Sequence, residues 1–402
     1  MNLIEELLTR GVEEVIDKAH LEAALKSKKK LRVKLGIDPT SPNIHIGRAV
    51  VLWKLRAFQE LGHQVVFIVG DFTGLIGDTS DKDAERPMLS EAEIKKNLKT
   101  YFEQAFKILD KKKTEAHYNS KWLKKLGFLE IGKMADLFGL HEMAARENVA
   151  NRLKAGKRVS FRELLYPIMQ GYDSVAIKAD VELGGTDQRF NLLAGRTIQP
   201  AYGQQPQDIL TTQLMEGTDG RKMSSSWGNV INITDEPNNM FGKVMSINDE
   251  LIKKYFILAT RMEIGEIDEI MKLANPRDQK LVLAEKIVAL YHGDKKAAAA
   301  KESFVSQFSK GELPVNMQKE KIDPGKHYLS DLLLKYGLVS SKSDARRLFQ
   351  QNGIKLGGGP DLGDPKVKEH LALKPTQDVE IVLDGNISYI VQVGKKKFIW
   401  LM

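Results

Sequence analysis

The chain has 402 residues, 42% of them hydrophobic and 28% charged, enough apolar material for a sizeable core shared among two or three domains. It holds no cysteine, which excludes a disulfide framework and a thiolate metal site and fits a reducing compartment. A formal charge of +8 hints at a polyanionic partner, and no apolar run approaches the ~20 residues that span a bilayer.

The first 25 residues are acidic and amphipathic and lack the basic and apolar regions of a signal peptide, so cytoplasmic residence without a membrane partner is expected. Helices are expected over Asn2–Asp17 and His20–Ser27. From Leu31 to Leu61 the pattern is a buried strand, the proline-braked turn Asp38-Pro-Thr-Ser-Pro-Asn43 and a long amphipathic helix, followed by the apolar strand His63–Asp71. Strand, crossover helix and strand make one right-handed βαβ unit of a parallel sheet. Ligands of such sheets sit at the carboxyl ends of the strands. Here that edge opens into His45-Ile-Gly-Arg48 at a helix start, where free backbone N–H groups and the helix dipole suit a phosphate.

The glycines of Asp71-Phe-Thr-Gly-Leu-Ile-Gly-Asp78 let backbone approach a ligand closely, and the polar stretch Thr79–Pro87 reads as a mobile loop. About 90–157 is expected to be a helical insertion, of the kind that often forms a dimer face. Phe161–Asp173 then leads through an expected short strand, Ser174–Lys178, to Gly184-Gly-Thr-Asp-Gln188 and a helix over Gln188–Arg196, the second half of a nucleotide crevice. A strand and turn over Leu210–Gly220 precede Arg221-Lys-Met-Ser-Ser-Ser226. The stretch from Asp235 to His292 is mostly helical. The C-terminal stretch has two short helices (Leu329–Tyr336, Ser343–Gln350), strands at Asp378–Leu383 and Ser388–Val393, and a last strand carrying Gly394-Lys-Lys-Lys-Phe398.

His45-Ile-Gly-Arg48 after Asp-Pro-Thr resembles the HIGH signature of class I aminoacyl-tRNA synthetases, and Lys222-Met-Ser-Ser-Ser226 resembles their KMSKS signature. Either motif alone is a weak match; together, in this order and at a catalytic-domain separation, they are specific. Tyr166-x-x-x-Gln170-x-x-Asp173, Gly184–Gln188 and Asp71–Asp78 are similar to the amino-acid pocket of tyrosyl-tRNA synthetases. Ser341–Gln351 with Val393–Lys397 resembles the small S-four RNA-binding domain of the bacterial-type members, so the likeness covers nearly the whole chain.

The resemblance implies a doubly wound, Rossmann-like α/β catalytic domain over 1–229, an α-helical anticodon-side domain over 230–322 and a small α+β S-four type domain over 326–402. It implies ATP-dependent activation of L-tyrosine, transfer to the terminal ribose of tRNA(Tyr), and a homodimer. Attack of a carboxylate on the α-phosphate needs positioning and charge neutralisation more than covalent help. Thr40 and His45 match the groups that hold the leaving phosphates; Lys82, Arg86 and Lys222 match basic residues closing over pyrophosphate. Asp78, Tyr166 and Gln170 match the site of the α-ammonium, Asp173 the acceptor for the phenol, and Gln188 the substrate carboxylate region. Gly36, Asp38, Gly47, Arg48, Gly185, Asp187, Met223, Ser224 and Ser225 fall on the ATP side. Arg346, Arg347, Lys395, Lys396 and Lys397 form a phosphate-tracking patch.

No cluster at metal-ligand spacing is seen, so no resident metal or tightly bound cofactor is expected and Mg2+ enters only with ATP. Three positions depart from the family pattern. Arg48 replaces the last His of the first signature, and Ser225 replaces the Lys of the second. Lys34 stands where many relatives carry a tyrosine beside the phenol; it either donates to that oxygen or pairs with an acid. Two other readings use the same features: a tryptophanyl-tRNA synthetase, disfavoured by the Gln170–Asp173 spacing and the appended domain, and an RNA-binding paralogue without activation, disfavoured by the intact Thr40, His45, Asp78, Asp173, Asp187 and Lys222. A Ser/His/Asp hydrolase lacks its nucleophile elbow.

Overall fold

The apolar strands assemble into one six-stranded sheet in a computed structural model, which describes residues 3–78, 88–306, 317–359, 371, 373–384, 387–394 and 397–402. Its strands are β1 (Val12–Ile16), β2 (Arg32–Ile37), β3 (Gln64–Val69), β4 (Thr114–Tyr118), β5 (Val181–Gly185) and β6 (Asp208–Thr212), in the order β1-β6-β5-β2-β3-β4. All neighbours are parallel except β1, which lies antiparallel to β6 on the edge. From β2 the chain winds outward through β3 to β4; it then returns to β5 and β6 on the other side. The winding therefore reverses between β2 and β5, where doubly wound sheets bind their ligands.

The expected strand, helix and strand at 31–71 are present. Val65 to Val69 are fully buried, and the helix Ile46–Glu60 covers the sheet with Leu52, Leu55 and Phe58 at no exposure. Three local expectations are corrected. The first helix stops at Thr9, Gly11 turns the chain with φ +63°, and Val12–Ile16 joins the sheet; ladder bonds to β6 outweigh a helical pattern only 16 residues long. The stretch 90–157 is helical except for β4, which extends the sheet beyond β3. Ser174–Lys178 is no strand: it completes the helix Phe161–Ile177, whose capping box at Ser160 and Glu163 starts it and whose buried face overrides the β-branched run.

That helix contains Pro167, which has no N–H to offer the carbonyl of Glu163 one turn earlier. The Arg146 guanidinium donates to that carbonyl at 3.5 Å instead. Beneath, Arg152 forms a fully buried ion pair with Glu163, Nη1 to Oε2 2.6 Å. The helical stretch that follows the sheet, Pro237–His292, packs within the same unit, residues 1–297.

The second unit, residues 298–402, is built on the helices Leu329–Lys335 and Lys342–Gln350, close to the expected pair. Its sheet has β7 (Gln318–Glu320), β9 (Ile354–Gly359), β11 (Ser388–Val393) and β12 (Lys397–Leu401) in the order β7-β12-β11-β9. β8 (Gly325–Tyr328) and β10 (Glu380–Leu383) form a separate antiparallel pair. Leu329, Leu333, Ala345, Phe349, Ile354, Val391, Ile399 and Leu401 close a core between helices and strands. No helix among the described residues is long and apolar enough to cross a membrane.

Candidate active site

A cavity of about 420 Å³ opens at the carboxyl ends of β2 and β5. The two strands pair only at Val33 with Val181 and Lys34 with Glu182, then part, and the gap becomes the cavity. The walls bring together Gly36, Asp38, Thr40, His45, Gly47, Arg48, Asp78, Tyr166, Gln170, Asp173, Gly185, Asp187, Gln188, Lys222, Met223, Ser224 and Ser225, although they come from stretches up to 189 positions apart. Lys82 and Arg86 lie outside the described residues.

The two signature motifs meet because the chain after the second pairs with the chain before the first. Ile46 N–H donates to Ile231 O at 2.8 Å and Ile233 N–H to Ile44 O at 3.0 Å. Lys222 ends a small hairpin bridged to Glu216 and turned at Gly220, φ +81°. Its ammonium contacts Asp187 Oδ2 at 2.9 Å, with both side chains partly exposed. Ser225 Oγ donates to Ser41 Oγ at 3.2 Å, so the second motif rests on the proline-braked turn.

His45 is the N-cap of its helix: its Nδ1 accepts the Arg48 N–H at 3.3 Å. That bond leaves Nε2 to carry the ring proton. Burial, helped by the Arg48 and Lys222 charges, pushes the imidazole down to about 3, so it is a neutral donor across the working pH range. A side chain at Gly47 would crowd the His45 ring. The Arg48 guanidinium donates to Thr40 Oγ1 at 3.0 Å and to the Tyr101 hydroxyl at 2.6 Å. The departure from the usual His thus ties Thr40 to the fully buried Tyr101, whose hydroxyl is pushed up by burial.

On the opposite side the groups are sealed in. Asp173 is buried; Trp122 Nε1 donates to its Oδ1 at 2.7 Å and Asn119 Nδ2 to its Oδ2 at 3.2 Å. Burial raises its carboxyl to about 7, against the pull of the Lys34 charge and the two donors. Tyr166 hydroxyl donates to Asp38 Oδ2 at 2.9 Å, and burial beside Asp38 and Asp78 lifts its phenol well above the ordinary range. Asp38 also accepts from Thr73 Oγ1 at 2.7 Å, and Gln188 Nε2 donates to Asp78 Oδ2 at 2.7 Å.

Lys34 is corrected: it does not line the cavity. Of its two open roles the structure shows pairing with an acid, Glu182 Oε1 at 2.9 Å, with both side chains at 0% exposure. Sequence reasoning missed Asn119, Trp122 and Tyr101. The first two follow β4 and reach Asp173, and in Thr114-Glu-Ala-His-Tyr118 only Thr114 and Tyr118 favour a strand, so the local signal for a strand end there was weak. In the second unit Arg346 and Arg347 are exposed on one helix, Arg347 touching Asp344 at 2.7 Å; Lys397 reaches Leu338 O at 2.7 Å, and Lys395 and Lys396 lie outside the described residues.

The family model of the class I tRNA synthetases (W and Y) matches residues 26–309. The chain belongs to the tyrosine–tRNA ligase family of class I tRNA synthetases. It is 45% identical to the tyrosine–tRNA ligase of Thermotoga maritima over 98% of this chain and 96% of that one. The Haemophilus influenzae ligase is also 45% identical, over 99% and 96%. Among solved structures, the tyrosyl-tRNA synthetase of Archaeoglobus fulgidus complexed with L-tyrosine shares the fold, with a TM-score of 0.60 and 22% identity over 75% of this chain and 100% of that one.

Proposed function

We propose that this chain activates L-tyrosine with ATP and transfers it to the 3′-terminal ribose of tRNA(Tyr). One observation carries the reading: a sealed, donor-lined carboxylate, Asp173, faces a wall of phosphate-suited donors, His45, Arg48 and Lys222, across one cavity. An ionised Asp173 accepts the phenol O–H, while Asp78, Tyr166 and Gln170 take the α-ammonium. A ligand without the hydroxyl leaves that buried acceptor unmatched, which disfavours phenylalanine.

ATP, with Mg2+ as part of the nucleotide substrate, runs past Gly47 and Asp187 with its phosphates at Thr40, His45 and Arg48. The tyrosine carboxylate attacks the α-phosphorus, the bond to the β-phosphate oxygen breaks, and pyrophosphate leaves. Neutral His45 donates from Nε2 to the developing charge. Lys222 exchanges Asp187 for phosphate oxygens as the transition state forms, with Lys82 and Arg86 acting beside it; contacts made only then raise turnover.

Arg346, Arg347 and Lys395–Lys397 grip the tRNA phosphates. Residues 230–322 serve as the anticodon-side module and 326–402 as the appended RNA-binding domain, in the cytoplasm. A second copy covers the apolar group of the insertion and the helix after it, Phe128, Leu129, Leu140 and Phe161, exposed at 92, 74, 70 and 72%. Sedimentation equilibrium should give twice the chain mass.

Amino-acid-dependent exchange of labelled pyrophosphate into ATP tests the central reading with tyrosine, phenylalanine and tryptophan. Exchange is expected with tyrosine alone. Exchange with tryptophan would move the substrate, and none with any of the three, from folded protein that binds RNA, would sink the enzyme reading.

A further inference from the structure

Under the cavity lies a closed polar network. Lys34 and Glu182 are register partners on β2 and β5, at the last rung before the strands part. The Lys34 ammonium donates to Ser174 Oγ at 2.8 Å and Gln170 O at 2.9 Å and forms an ion pair with Glu182 Oε1 at 2.9 Å. Glu182 in turn takes Gln170 Nε2 at 3.1 Å on Oε1, and on Oε2 Ser174 Oγ at 3.1 Å and Gln207 Nε2 at 2.5 Å. Of these five residues only Gln170 reaches the cavity wall.

A carboxylate accepts and never donates when ionised, so the end of the Gln170 amide beside Glu182 must be its NH2. Its Oε1 accepts no hydrogen bond within the described residues and is the end left for the cavity. An amide oxygen there welcomes an ammonium; the NH2 turned outward would set donor against donor. We propose that the buried Lys34–Glu182 pair is a positioning device that locks the Gln170 amide with its oxygen toward the cavity, and so selects a ligand with an α-ammonium. The pair rests on the reading of the cavity as the tyrosine site. Lys34 neutralises the carboxylate that would otherwise sit alone in the sheet, and anchors the Gln170 backbone from below.

The test compares dissociation constants, by calorimetry, for L-tyrosine and for 3-(4-hydroxyphenyl)propionate, which has hydrogen in place of the α-ammonium. In Glu182→Gln a neutral amide faces Gln170 and no longer dictates its direction. The preference for tyrosine over the deamino compound should fall about 10- to 100-fold, the loss of one hydrogen bond to a charged group, with the deamino compound bound as before. A residue with a merely structural role would weaken both ligands alike.

Because Glu182→Gln leaves Lys34 buried without its partner, the neutral double variant Lys34→Met/Glu182→Gln is measured beside it and decides if the single variant does not fold. Gln170→Ala and Asp173→Asn serve as references. A folded double variant that keeps the full preference while Gln170→Ala loses it overturns the proposal and leaves the cavity reading standing. Tyrosine binding unchanged in both Gln170→Ala and Asp173→Asn overturns the cavity reading and the proposal with it.

Discussion

The two sides of the cavity are built by opposite means. On the phosphate side, Thr40, His45, Lys222 and Ser225 sit on turns and at a helix start, and Lys222 and Asp187 hold each other while still partly exposed. On the floor, Lys34, Glu182 and Asp173 are nearly or fully sealed, and each has partners fixed by neighbouring strands or the helix Phe161–Ile177. Burial drives His45 down and Asp173 up, which in each case disfavours the charged form. The consequences differ. Neutral His45 remains a donor to phosphate, whereas Asp173 must ionise to accept a phenol strongly. Loose ion pairs suit a side that rearranges during phosphoryl transfer, and a closed network suits a side that discriminates.

If the floor is rigid for the reason given, removing one member should cost stability. Lys34→Met leaves Glu182 buried without its cation, and unfolding in urea should show a loss of about 3–5 kcal/mol. A loss below about 1 kcal/mol would mean water or a rotated side chain replaces the ammonium, and the contrast between the two sides would fail.

On the other side, Lys222→Ala should leave the urea midpoint nearly unmoved, since its pair with Asp187 is partly exposed. The turnover number for pyrophosphate exchange should fall on the order of 10²-fold, with tyrosine affinity kept. A stability loss like that of Lys34→Met would erase the distinction.

The acidity of Asp173 sharpens it further. With its carboxyl raised to about 7 from the ordinary 3.8, the folded chain keeps a proton that the unfolded chain has released between those values. Stability from this group therefore falls as pH rises from about 3.8 to about 7. Tyrosine affinity moves the other way, rising about tenfold per pH unit up to about 7 and levelling above it, because binding needs the anion. Titrations of tyrosine binding against pH should show this in the parent and lose it in Asp173→Asn. A profile flat from pH 5 to 8 in the parent would place the phenol elsewhere. His45, already neutral, should contribute no step in that range.

Much of the phosphate side was legible because its residues are local. Asp38 to Arg48 form one turn and one helix start, so proline, glycine and cap chemistry within a dozen residues dictate their geometry. The floor was harder to read. Asp173 and Gln170 stand out by spacing, but Asn119 and Trp122 reach Asp173 only because β4 adds to the sheet edge, and that strand was hidden in a helical stretch. Ser174, with its neighbours, carries β-branched strand propensity. Its place in a helix was decided by the face buried there and by its bonds to Lys34 and Glu182.

By itself the sequence determined the alternation of strand and helix, the two signature motifs and their order, because hydrophobic period and turn chemistry act over a few residues. Only the tertiary structure decided what Lys34 does. Whether that ammonium met a ligand or an acid depended on the register of β2 against β5, two strands 148 positions apart at Lys34 and Glu182, and on which face of the sheet the gap opens. Pairing across such a distance leaves no local trace, since the partner of a buried charge is chosen by packing and not by its neighbours in the chain.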